Sequence, residues 1–275
     1  MKIIYVGDCI QKGLYFIHSR FKNFVNFTSD NNSFIGITKD QNLRNPINII
    51  VSKCDIKNIK KVEINSEKIL VDGKEFIRSN IKIYNSLLEL PRIKPYILQK
   101  NVIFSEKYLK ENSPQNSLIF SFYMLETNNS FKDQLAKRVE RGINFFLKGD
   151  LIGFCKMFTG IGFGLTPSGD DFLCGVIYAT IIIEKISGKK LEKVRKLIYR
   201  NSLSKRELSN LFLSHSMSGR ANINFKKYFL TLSSSNKDAE LSKSIKKILN
   251  YGFTSGSDIV WGLVFTLLNK DFLIR

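Results

Sequence analysis

The chain has 275 residues, with 43 Lys and Arg against 24 Asp and Glu, two His, four Cys and a formal charge of +19. That length holds one large domain or two ordinary ones, and 43% apolar residues exclude a disordered chain. The charge suggests a polyanion binder, but Lys outnumbers Arg about threefold and is spread through both halves, which reads as solvated compositional bias and not as a nucleic-acid-binding stripe.

From Lys2 to Tyr84 the chain is a series of short β-rich runs: Ile3–Val6, Ser33–Ile37, Ile47–Val51, Lys61–Ile64, Lys68–Val71, Glu75–Arg78 and Ile81–Tyr84. Asp72-Gly73 between two of them signals a tight hairpin, and Asn31-Asn32 and Arg44-Asn45-Pro46 are further breaks. Short antiparallel strands of this kind predict a small barrel or sandwich. After Pro91 and Pro95 the period changes, and the segment near 86–105 is the candidate boundary. Phe131 to Lys148 places Leu135, Val139, Ile143, Phe146 and Leu147 on one helical face, closed by Gly149-Asp150. Further helical patterns follow at about 151–158, 169–187, 190–202, 205–218, 237–250 and 257–269, with Gly188 and Gly219 marking two ends. The predicted class is α+β: a β-rich N-terminal domain over 1–90, then a mostly α-helical domain over 91–275.

Several common functions find no support. Cys9, Cys54, Cys155 and Cys174 stand far apart with no CxxC, which predicts reduced thiols and a cytoplasmic location. The start, Met1 to Asp8, lacks the apolar core of a signal peptide, and the longest apolar run, Phe172 to Ile183, is too short to span a bilayer. A soluble protein without membrane or nucleic-acid partners is expected. With only His18 and His215 there is no HExxH helix, and no Gly-x-Ser-x-Gly elbow occurs. His215, on a predicted helix between two serines, reads as an ordinary polar histidine.

The informative segment is Gly160-Ile-Gly162-Phe-Gly164-Leu-Thr166-Pro167-Ser168-Gly169-Asp170-Asp171, followed by an apolar run to Ile183. Thr166 or Ser168 suits an N-cap, Pro167 the first helical position, and Asp170 and Asp171 the first turn. A glycine-rich loop feeding a buried helix start offers convergent N–H groups and a positive dipole end, which suits an anion. Gly164 to Gly169 has P-loop spacing, yet two aspartates stand where Lys and Ser/Thr belong, and a Rossmann pattern fails at Pro167. Downstream, Gly252-Phe-Thr254-Ser255-Gly256-Ser257-Asp258-Ile-Val-Trp-Gly262 repeats the stretch from Gly164 to Gly175 if one proline is deleted. Two Ser/Thr/Gly-rich helix starts then point at one ligand.

The aspartates leave three resolutions open. Asp170 or Asp171 holds a divalent cation such as Mg²⁺ that bridges to phosphate; or they accept N–H groups from an amide or carbamoyl substrate; or one pairs with an arginine and serves structure alone. Arg138, Arg141, Arg206 and Arg220 are the candidates for carboxylate or phosphate recognition. Ser204 and Glu207 read as a capping box opening another helix.

The string Gly162 to Asp171, the echo Thr254 to Asp258 and the overall length resemble the AllH-like family, which is linked to oxamate carbamoyltransferase. The resemblance implies one subunit of a multi-subunit transferase in anaerobic allantoin and purine breakdown, converting oxalurate and phosphate to oxamate and carbamoyl phosphate beside acyl-CoA-synthetase-like partner subunits. It implies no residue-level roles. From the residues themselves, the catalytic candidates are Ser168, Asp170 and Asp171. The substrate-binding candidates are Gly162, Gly164, Thr166, Gly169, Thr254, Ser255, Gly256 and Asp258. Asp170 and Asp171 are the candidate Mg²⁺ ligands, and no other cofactor is expected. The competing expectation is a non-catalytic anion-binding or assembly subunit of such an enzyme.

Overall fold

The Val- and Ile-rich runs of the first 84 residues assemble one sheet. A computed structural model describes residues 1–123 and 130–274. Among the described residues there are nine strands: β1 (Lys2–Gly7), β2 (Gly13–Arg20), β3 (Phe24–Ser29), β4 (Phe34–Thr38), β5 (Asn48–Ser52), β6 (Lys61–Ile64), β7 (Lys68–Val71), β8 (Lys74–Ile77) and β9 (Lys82–Tyr84). Their order is β8-β7-β6-β2-β3-β4-β5-β1-β9, antiparallel except for the β4–β5 and β1–β9 pairs. It is a single sheet curled into a half-barrel. Val25 and Phe27, Ile35 and Ile37, Ile49 and Val51, Val62 and Ile64, and Ile69 and Val71 recur at period two, and all are buried in one core. The β7–β8 hairpin turns at Asp72-Gly73, both at positive φ (48° and 83°), the type I′ geometry that matches strand twist. β2 and β3 were not foreseen. From Tyr15 on, β2 alternates less and more exposed residues, only Tyr15 being buried, and His18, Ser19 and Arg20 mask its period.

The chain forms two units, Met1–Leu88 with Arg220–Lys226, and Glu89–Gly219 with Lys227–Arg275. In the first, the returning segment is fastened at Asp8. Its carboxylate accepts from the Ser86 N–H (3.0 Å), the Ser86 hydroxyl (2.7 Å) and the Arg220 guanidinium (2.7 Å). Burial alone would raise this carboxyl, but the Ser86 donors and Arg220 reverse that and hold it below its ordinary value. Ala221 N–H donates to the Ser86 carbonyl and the Tyr84 hydroxyl donates to the Ala221 carbonyl, each at 2.9 Å.

The second unit is helical. It contains α1 (Pro95–Asn112), α2 (Ile119–Tyr123), α3 (Ser130–Leu147), α4 (Leu151–Phe158), α5 (Ser168–Ser187), α6 (Glu192–Ser202) and α7 (Glu207–Met217). Then come α8 (Ile223–Ser234), whose first turn belongs to the first unit, α9 (Asp238–Leu249), α10 (Ser255–Leu268) and α11 (Asp271–Ile274). Pro95 opens α1, which buries Ile97, Leu98, Val102 and Leu109, so much of the 86–105 segment is packed helix. Burial of α5 and α10 is nearly complete, and Phe122, Phe154, Phe158, Phe172, Trp261 and Phe265 form an aromatic cluster around them. Among the described residues no helix is long and apolar enough to cross a membrane.

Candidate functional site

α5 and α10 cross at two glycines. A Cβ on Gly175 would lie 2.0 Å from the Ile259 carbonyl oxygen, and one on Gly262 would lie 1.9 Å from that of Phe172. The absence of both side chains lets the two backbones touch, and this brings the helix starts together.

Those starts are built alike. Ile161 N–H donates to the Phe158 carbonyl and Tyr251 N–H to that of Ile248; Gly169 N–H donates to Ile161 and Gly256 N–H to Tyr251. Gly169 and Gly256 press on the carbonyls of Phe158 and Ile248, where a Cβ would lie at 1.9 and 2.0 Å. Gly162 and Gly252 both take positive φ (99° and 67°) and fold back on Ser168 and Ser255. The structural partner of Gly252 is therefore Gly162, not Gly164 as the sequence echo suggests. Three extra residues lengthen the first loop, and Gly164 meets nothing within 4 Å. Phe163 and Phe253 follow the matched glycines and are 82% and 75% exposed.

The hydroxyls cross between the loops. Thr166 Oγ1 lies 3.3 Å from Ser255 Oγ, and Ser168 Oγ lies 3.3 Å from Thr254 Oγ1. The expectation that Thr166 or Ser168 caps α5 is corrected: Pro167 occupies the cap position, Ser168 is the first helical residue, and no side chain caps α5 or α10. The hydroxyls turn toward the opposite loop instead, leaving both helix starts free of side-chain capping. Ser204 likewise accepts from the Arg206 N–H but does not cap α7, whose cap position is Arg206.

Beneath the hydroxyls lie three carboxyls, all buried. Asp170 accepts the Gly160 N–H at 2.7 Å; burial raises its pKa, offset by that bond, the Ser209 hydroxyl and the charge of Arg206. A Cβ on Gly160 would lie 3.2 Å from the Arg206 guanidinium, so Arg206 covers the start of this loop. Asp170 thus anchors the loop. Asp171 and Asp258 hold matched positions one turn into their helices. Burial raises Asp171 well above the ordinary carboxyl value; the Ser255 and Thr166 hydroxyls pull it back, and the charges of Asp258 and Asp170 push it further up. Asp258 is pushed up to about 7 by burial, against the Leu118 N–H (2.7 Å) and the Ser168 and Thr254 hydroxyls. Asp171 and Asp258 therefore each face one crossed Thr–Ser pair, yet the Oδ2 atoms of all three acids complete no hydrogen bond.

Sequence reasoning missed the Leu118 donor, which lies 140 residues away with no motif around it. It also missed the Ser113 hydroxyl, which accepts from Ser257 at 2.7 Å. The matched phenylalanines could have been found by aligning Gly162 with Gly252. Of the four arginines, Arg206 alone is shown at the loops. Arg138 donates to the carbonyls of Met157 and Thr159 at the end of α4, Arg141 lies on α3, and Arg220 belongs to the first unit. His215 is buried near the end of α7 beside Phe212. Among the described residues no three His, Cys, Asp or Glu side chains converge as a metal site.

Residues 158–267 match the model of the AllH family, described as oxamate carbamoyltransferase subunit AllH. The matched stretch is less than half the chain, but it runs from Phe158, on which Gly169 rests, to Leu267 in the last turn of α10 and so covers both loops and nearly all of both helices. No curated protein and no solved structure matches the chain.

Proposed function

We propose that the crossed loops of α5 and α10 form the substrate site of a carbamoyltransferase subunit, acting on oxalurate and phosphate to give oxamate and carbamoyl phosphate. The observation that carries this reading is the pair of Thr–Ser crossings joining two uncapped helix starts, within the stretch that matches the family. In this reaction a phosphate oxygen bonds to the ureido carbonyl carbon, the C–N bond to the oxamate nitrogen breaks, and that nitrogen takes a proton. The addition step places negative charge on the carbonyl oxygen, which N–H groups at a helix start and neighbouring hydroxyls stabilise. Both substrates are anions, and two positive dipole ends suit them.

Ser168, Ser255, Thr166 and Thr254 supply the hydroxyls that contact substrate. Asp171 and Asp258 supply acid groups below them, and Asp170 fixes the loop that carries Gly162 and Gly164. Acyl-CoA-synthetase-like subunits complete the cytoplasmic assembly. The test is reconstitution with those subunits and assay of carbamoyl phosphate from oxalurate and phosphate. Activity that requires this chain and falls at least tenfold in Ser168→Ala and Asp171→Asn supports the reading. An assembled complex that is equally active with either variant refutes the site.

A further inference from the structure

Asp171 and Asp258, with 3% and 0% exposure and set at matched positions in a two-fold repeat, each carry an Oδ2 atom that lacks a hydrogen-bond partner. A buried acceptor without a donor costs free energy, and two ionised ones repel each other as well. Asp170 Oδ2 is unpartnered too, but its Oδ1 is tied to the Gly160 N–H, and the counterpart of Asp170, Ser257, is tied to Ser113.

From this we infer that a single hard divalent cation binds between Asp171 and Asp258, with the hydroxyls of Thr166, Ser168, Thr254 and Ser255 as neutral oxygen donors. The donor set decides the class of metal. Two carboxylates and four hydroxyls offer oxygen alone, the chemistry of Mg²⁺, Mn²⁺ or Ca²⁺, with no nitrogen or sulfur to favour Zn²⁺ or Cu²⁺. Charge balance points the same way. Each helix start contributes roughly +0.5 and Asp171 and Asp258 −1 each, with Arg206 set against Asp170, so the empty site with these acids ionised carries about −1 and repels the anions it faces. A divalent cation turns that to about +1. The proposed metal pair is Asp171 with Asp258, the two matched acids that face the crossed hydroxyls, while Asp170 uses one oxygen to hold the loop.

This inference shares its location with the carbamoyl-transfer reading but needs no substrate, so either can fail alone. The experiment uses the full chain stripped of metal, titrated with Mn²⁺, Mg²⁺ or Ca²⁺ alone. Calorimetry and Mn²⁺ electron paramagnetic resonance give stoichiometry and affinity, and the thermal midpoint is followed in parallel. One site per chain is expected, with a midpoint rise of about 4 °C or more at saturation. Asp171→Asn and Asp258→Asn should each weaken binding at least tenfold. Ser168→Ala with Ser255→Ala, which leaves the buried acids in place, should weaken it severalfold and guards against misfolding of the Asp variants. No stoichiometric binding, or binding unaltered in folded Asp171→Asn or in the double Ser variant, overturns the proposal.

Discussion

Replacing Gly175 by Ala tests whether direct backbone contact sets the position of the two loops. At an unobstructed helix position, Gly→Ala stabilises by roughly 0.5–1 kcal/mol. Here the new methyl would stand 2.0 Å from the Ile259 carbonyl oxygen and 2.7 Å from the Leu263 nitrogen. The closer approach is roughly 1.5 Å inside ordinary contact. Both obstacles are backbone, so no rotamer change relieves them and α5 must move off α10. Overpacking costs typically about 1–3 kcal/mol, and two backbone obstacles place this case at the upper end even after the helix-propensity gain. A net loss of about 2 kcal/mol corresponds to a fall in thermal midpoint of roughly 4–8 °C for a chain near this size. Urea unfolding and a thermal melt measure it. Gly262→Ala, whose methyl would stand 1.9 Å from the Phe172 carbonyl oxygen, should behave alike. The double variant should lose less than the two losses combined, because both substitutions part the same helices. The crossed hydroxyl pairs, already 3.3 Å apart, should separate as well, lowering reconstituted activity at temperatures where the variant remains folded. A Gly175→Ala protein as stable as the parent, or more stable, would refute this account.

Asp258 makes stability depend on pH. Its carboxyl is pushed up to about 7 in the folded chain against an ordinary value of 3.8, so between these limits the folded state holds a proton that the unfolded state has released. Stability should therefore fall as pH rises from about 4 to about 7, with a slope near 1.4 kcal/mol per pH unit at most, and this contribution should level off above. In chelator-containing buffer Asp258→Asn removes that contribution, and its stability relative to the parent should rise across the same window; urea midpoints with no such trend would contradict the burial argument. In the first unit, Arg220→Ala takes one of three donors from the partly exposed Asp8 carboxylate and should cost about 1 kcal/mol by urea unfolding, whereas an unchanged midpoint would show the clasp to be idle.

What was legible in the sequence was what local chemistry dictates. Seven of the strands follow from β-branched runs, the hairpin from Asp72-Gly73, and α5 and α10 from an apolar run behind a Ser-Gly-Asp start. The α+β class follows from that change of period. The polar-rich β2 and Pro95-led α1 were harder to read, because their burial is imposed by distant segments and not by a local pattern. The loop motif was visible twice over, but its register was not. Deleting Pro167 aligns the letters, whereas the fold aligns the glycine that turns back on the serine. The division of work among the acids was also hidden. Asp170 and Asp171 are adjacent and identical in type, and only the Gly160 N–H and the crossing of α5 with α10 separate an anchor from an acid that faces the crossed hydroxyls.

The clasp at Asp8 has a consequence for synthesis. Asp8, just after strand β1, leaves the ribosome more than two hundred residues before the Arg220 that completes its hydrogen-bond network. At roughly 5–20 residues per second, the interval between Leu88 and Arg220 lasts about 7 to 26 seconds. During that time the nascent sheet carries an uncompensated Asp8–Ser86 pair and lacks the segment from Arg220 to Lys226. A fragment cut at Leu88 would keep that deficit permanently, so the N-terminal unit is contiguous in space but is delivered by translation in two instalments.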